Sequence, residues 1–118
     1  MSALETLARV ARREAEAIER QLAAVEARRA NILARIETHD RIVRDEQERA
    51  QGSVDAALAY GAFAQAAITQ RRVMINEDHV LAAEAGALRD ALRDAFIELK
   101  KVETLIENEA ERAARAAA

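Results

Sequence analysis

Leu4, Ala8, Ala11, Ala15, Ile18, Leu22, Val25, Arg29, Ile32, Ile36, His39 and Val43 follow one another at alternating steps of four and three. A second series keeps the same spacing: Ala64, Ala67, Arg71, Met74, Asp78, Leu81, Ala85, Leu88, Leu92, Ala95, Leu99, Val102 and Ile106. An average step of 3.5 residues holds one narrow apolar stripe of a helix against a partner helix, which is the seam of a coiled coil. Two such series in one chain, divided near Gly52, allow the chain to be its own partner. The expected fold is all-α, a single antiparallel two-helix coiled-coil hairpin over 1–118.

Composition agrees with a thin seam and not with a globule. Hydrophobic residues make up 51% of the chain, but many are alanine, and the aromatics are Tyr60, Phe63 and Phe96 alone. A compact globule needs bulkier residues inside. No proline interrupts either series. Ala, Leu, Glu and Arg dominate, and all favour helix.

Local signals set the boundaries. Ser2-Ala3-Leu4-Glu5 has the form of a capping box. Gln51-Gly52-Ser53 reads as stop and restart, with Gly52 in the left-handed conformation and Ser53 or Asp55 capping the second helix. The first helix is expected over about 3–50, the turn over about 51–54 and the second helix over about 55–112. The alanine-rich tail beyond is expected to fray. Gly61 and Gly86 inside the second helix each cost about 1 kcal/mol against alanine.

A turn centred near residue 53 pairs positions whose numbers total about 107. Ala8 then meets Leu99, Ala15 meets Leu92, Leu22 meets Ala85, and Val43 lies beside Phe63 and Ala64. Small residues oppose large ones, as interdigitation requires. The same rule sets Arg29 beside Asp78, two polar interruptions of opposite sign. Either they pair and set the register, or both side chains snorkel to water. A continuous helix through Gly52, dimerised with a second chain, has the same periodicity and is the rival architecture.

The net charge of −3 comes entirely from residues 51–118, because residues 1–50 balance ten basic against ten acidic side chains. Such a mixed surface argues against nucleic acid as a partner. There is no cysteine for disulfide or thiolate chemistry. No apolar run approaches the ~18 residues of a membrane span, and no secretory leader is evident, so a cytoplasmic location is expected.

Residues that could carry chemistry do not converge. His39 and His79 sit in no zinc or di-iron spacing, and the pairing rule separates them by roughly 16 Å. Glu77-Asp78-His79 are consecutive, so on a helix they splay apart. Ser53 reads as a cap. There is no glycine-rich phosphate loop, and a two-helix pair offers no water-excluding pocket. No enzyme, cofactor, metal or small-molecule ligand is expected. Glu103, Glu107 and Glu111 form an acidic stripe, either solubilising or for docking. Tyr60 and Phe63 share a face near the turn, either packing over Ile42 and Val43 or offering a contact.

Three segments together resemble the flagellar FliJ family: Ala3-Leu4-Glu5-Thr6-Leu7, Tyr60-x-x-Phe63, and the run from Ala91-Leu92-Arg93-Asp94-Ala95-Phe96 through Ile97-Glu98-Leu99-Lys100-Lys101 to Val102-Glu103-Thr104-Leu105. The resemblance spans nearly the whole chain. It implies an antiparallel coiled coil of the bacterial type III export apparatus, similar to the stalk of rotary ATPases. It implies that the end holding both termini, about 1–25 and 85–118, enters and activates the ring of the export ATPase FliI. Phe96, Lys100, Lys101, Glu103 and Leu105 are the matching residues. It also implies contact with the export-gate protein FlhA through Arg35, His39, Ile42, Glu46, Phe63, Ala67, Gln70 and Met74, and binding of export chaperones. The self-paired hairpin is expected to be a monomer, and the resemblance places it peripheral to the membrane-embedded gate. The rivals are the equivalent rod of a virulence-type secretion system and a homodimeric coiled-coil spacer.

Overall fold

The computed structural model describes residues 2–118, which form an all-α helical hairpin of α1 (Ala3–Ala50) and α2 (Val54–Ala117). Each terminus of these helices has a local cause. The Ser2 hydroxyl accepts the Glu5 N–H at 3.1 Å, and the Ser2 carbonyl accepts the Thr6 N–H at 3.1 Å. Ser53 caps α2, its hydroxyl accepting the Ala56 N–H at 3.0 Å. Asp55, the alternative cap, lies inside the first turn, where a carboxylate favours the positive end of the helix dipole.

Gly52 departs from expectation. No glycine among the described residues has positive φ, so α1 does not end in a left-handed residue. Instead the Gln51 and Gly52 N–H groups bond the carbonyls of Glu48 and Arg49 at 3.2 and 3.0 Å. These i→i−3 bonds tighten the last turn and satisfy its carbonyls. Glycine is favoured there by closeness, since a Cβ on residue 52 would stand 3.2 Å from the Arg49 carbonyl oxygen.

The end of α2 also differs, because the helix continues past residue 112 to Ala117. Residues 107–118 are all exposed. Their helix rests on alanine propensity and on intrahelical pairs, Glu109 with Arg112 at 3.5 Å and Glu111 with Arg115 at 3.3 Å.

The helices meet in two units. In the first, Met1–Ala24 with Ala85–Ala118, the core is alanine: Ala8, Ala15, Ala85 and Ala95 are buried, Ala15 at 1% and Ala85 at 0% exposure. Leu4, Leu22, Leu88, Leu92 and Leu99 are half-buried. The second unit, Val25–Glu84, contains the turn. Its core is larger-chained, with Val25, Ile32, Ile36, Ala67, Met74 and Leu81 buried. Every seam position expected on α1 is buried or half-buried. On α2 the same holds except at Arg71, which lies exposed at the edge of the seam.

Gly61 and Gly86 have nothing within 4 Å of where a Cβ would be. Replacing either by alanine is expected to stabilise the fold by about 1 kcal/mol in urea unfolding, through helix propensity alone. Gly52→Ala is expected to give no such gain, because the new methyl presses on the Arg49 carbonyl.

Candidate functional site

Three polar contacts join the helices of the Val25–Glu84 unit along its seam. Arg29 donates through Nε to Asp78 Oδ1 at 2.9 Å and through Nη2 to Oδ2 at 3.4 Å. The Asp78 side chain is 11% exposed and that of Arg29 32%. This fork is the arrangement in which planar guanidinium and carboxylate bind most specifically. The pairing alternative therefore holds, and snorkelling does not. The hydrogen bond from Arg29 holds the Asp78 carboxyl below its ordinary range, outweighing the opposing effect of burial.

A second fork lies one stretch nearer the turn. Arg71 donates to both Asp40 oxygens, at 2.9 and 3.3 Å, and lowers that carboxyl's pKa in the same way. Beside the second fork, His39 Nε2 lies 2.9 Å from the Ala67 carbonyl oxygen. A carbonyl only accepts, so Nε2 carries the proton. His39 thus closes a backbone acceptor. The Asp40–Arg71 pair escapes a rule based on level alone, because a long arginine reaches a turn along its partner.

Glu77, Asp78 and His79 diverge as consecutive helical residues must. Asp78 is buried against Arg29, whereas Glu77 and His79 are exposed. Among the described residues no group of three or more His, Cys, Asp or Glu is placed to hold a metal ion. No helix among them is long and apolar enough to cross a membrane.

The residues singled out for docking fall on two surfaces. In the unit holding both termini, Phe96, Lys100, Lys101 and Leu105 are exposed and Glu103 is half-buried. Phe96, 46% exposed, borders a shallow groove of about 450 Å³ with Arg89, Arg93, Ile97 and Lys100. A second groove of about 540 Å³ runs on through Ile97 and Lys100 to Lys101, Thr104 and Leu105. Arg93 is drawn to Asp90 at 2.7 Å and Lys101 to Glu98 at 3.2 Å. Lys100 has no ion-pair partner among the described residues.

In the Val25–Glu84 unit, Arg35, His39, Ile42, Gln70 and Met74 border one open groove of about 690 Å³. The other three residues do not join it. Glu46 is held by Arg49 at 2.6 Å. Phe63 packs on Tyr60, with ring centroids 6.0 Å apart and planes tilted by 38°. Ala67 is buried in the seam. Asn31, Ala34, Thr38, Thr69 and Val73 complete the groove. Sequence reasoning missed them because they lie beside the seam, where periodicity sets no residue type.

Compared with known proteins, the chain matches no family model, no curated protein and no solved structure.

The two depressed carboxyls have a consequence for stability. A carboxyl whose folded pKa lies below its unfolded value stabilises the fold above that unfolded value, here 3.8, and the gain disappears as pH falls through the folded pKa. Urea midpoints are expected to be level from about pH 7 to pH 5 and to fall below about pH 4. Asp78→Asn is expected to lower the midpoint at pH 7. Its deficit should shrink as pH drops, because protonated Asp78 and asparagine are then electrically alike.

Proposed function

We propose that the protein is a non-enzymatic, stalk-like component of the bacterial flagellar type III export apparatus, binding and activating the export ATPase without hydrolysing ATP itself. The observation that carries this reading is the Phe96–Leu105 strip. An exposed aromatic ring stands beside Lys100, a cation without an ion-pair partner among the described residues, on the segment that most resembles the FliJ family. Aromatic side chains are enriched at interfaces, and a lysine beside one adds attraction for an acidic partner surface.

The second surface suits a second partner. The groove with Arg35, His39, Ile42, Gln70 and Met74 is the part of the expected gate-facing set that shares one space. We assign it to the export-gate protein FlhA, or to export chaperones, at a cytoplasmic site peripheral to the membrane-embedded gate. Two unlike surfaces on one helical hairpin suit a protein that works by holding partners in position.

Purified chain is expected to stimulate the ATP hydrolysis of a flagellar export ATPase. Phe96→Ala, or Lys100→Glu with Lys101→Glu, should raise the concentration for half-maximal stimulation about tenfold or more. Absence of stimulation at any ratio would remove the export reading. Stimulation of a virulence-type ATPase alone would move the rod to that machine.

A further inference from the structure

The groove of the Val25–Glu84 unit is unusual for this chain in being almost free of charge. One third of all residues are charged, yet of the ten bordering the groove only Arg35 carries a fixed charge. Its polar groups are otherwise amides, hydroxyls and an imidazole, which both donate and accept. Ile42 and Val73 stand open at 49% and 59% exposure. Depletion of charge at the centre of a patch marks a surface that becomes covered.

An adjoining groove, which shares Asn31 and Arg35 with this one, says what covers the face. Arg28 and Arg35 border it on the α1 side, and Glu77 borders it on the α2 side. Val80 and Glu84 follow Glu77 at steps of three and four, so they continue its edge. None of these four charged residues has an ion-pair partner among the described residues. One edge is basic, the other acidic, and both are unsatisfied. A face of that kind is complementary to itself.

We infer that this groove is the interface of a homodimer, in which a second copy of the chain lies face to face across it, α1 of each copy against α2 of the other. A two-fold axis parallel to the helices makes that arrangement, and it makes the contact isologous. It keeps residues at their own level, so the 107 rule that Arg29 and Asp78 obey also gives the partners across the axis. Arg28 meets the level of Val80 in the second copy, between Glu77 and Glu84. Arg35 meets Val73, one turn from Glu77. Thr38 meets Gln70, an amide opposite a hydroxyl. Ala34 meets Val73, a small residue under an exposed large one. A two-fold axis across the helices would instead stack α1 on α1 and oppose Arg28 to Arg35, which like charge disfavours. The dimer replaces the monomer expected from a self-paired chain. It covers the groove assigned above to the gate or chaperones, so the two compete there, and its failure leaves the ATPase-binding strip of Phe96 to Leu105 untouched.

Charge reversal tests the arrangement. The wild-type chain is expected to sediment at twice 13.0 kDa as concentration rises. A variant with Arg28→Glu and Arg35→Glu has two acidic edges and should stay at 13.0 kDa. A variant with Glu77→Arg and Glu84→Arg has two basic edges and should do the same. Mixed in equal amounts, the two should restore the doubled mass. A wild-type chain that remains single at all concentrations overturns the proposal, as does a mixture that stays dissociated while both variants keep their helical circular dichroism. If the variants lose that signal, disulfide trapping decides, because the chain has no cysteine of its own. Thr38→Cys mixed with Gln70→Cys should yield mixed disulfide dimers. Dimers from Asn31→Cys alone, midway between Arg28 and Arg35, mean α1 on α1 and overturn it equally.

Discussion

A guanidinium and a carboxylate set face to face inside an aliphatic seam hold the helices of the Val25–Glu84 unit to one alignment. Coiled-coil seams of alanine, leucine and isoleucine repeat every seven residues and tolerate a slip by that amount. The Arg29–Asp78 fork does not. Slipping seven residues one way sets Arg29 against Arg71 and Asp78 against Leu22. Slipping the other way sets Arg29 against Ala85 and Asp78 against Ile36. Each alternative leaves a half-buried charge without its partner, and an unpaired charge out of water is costly where the paired one is close to neutral. Among the described residues no buried side-chain nitrogen or oxygen lacks a hydrogen bond. The stabilisation is modest, and the gain is a single register.

With that alignment held, the other polar contacts of the unit follow. His39 reaches the Ala67 carbonyl and Arg71 reaches Asp40, so a polar ladder runs beside the apolar one towards the turn. The unit holding both termini is built differently. Alanines form its buried centre and half-buried leucines flank it. Alanine lets helices approach closely but leaves long apolar side chains only partly covered. Phe96, Ile97 and Leu105 accordingly stand outside the seam, available to another protein. The division of labour proposed for the chain follows this contrast: one unit specifies its own geometry, and the other presents an apolar and basic strip.

The groove in the Val25–Glu84 unit draws on the same register. Because α1 and α2 are aligned by the fork, Arg28 and Arg35 run along one edge while Glu77 and Glu84 run along the other. An axial shift would disturb their match to a second copy. A partner of another kind that used this groove would compete with the proposed second copy.

The two seams, their break and the opposition of Arg29 to Asp78 were readable from residue spacing, because a 3.5-residue repeat puts one apolar stripe on each helix and two opposite charges interrupting it at matched levels have few other partners. Helix starts were readable for a similar reason, since a serine hydroxyl serves the nearest free N–H groups. Tertiary structure decided what spacing leaves open. Gly52 ends α1 through tight i→i−3 bonds and not through a left-handed turn, because the path of the chain into α2 selects between two closures that one glycine permits. Arg71, a seam residue by count, swings to the edge because Asp40 is there to receive it. Phe63, Ala67 and Glu46 stand outside the groove that the other five gate-facing residues border, because Phe63 packs on Tyr60 and Glu46 pairs with Arg49 along their own helices while Ala67 is buried in the seam. Periodicity determines which side of a helix is covered. Only the packed pair determines which side chains beside that stripe share a groove.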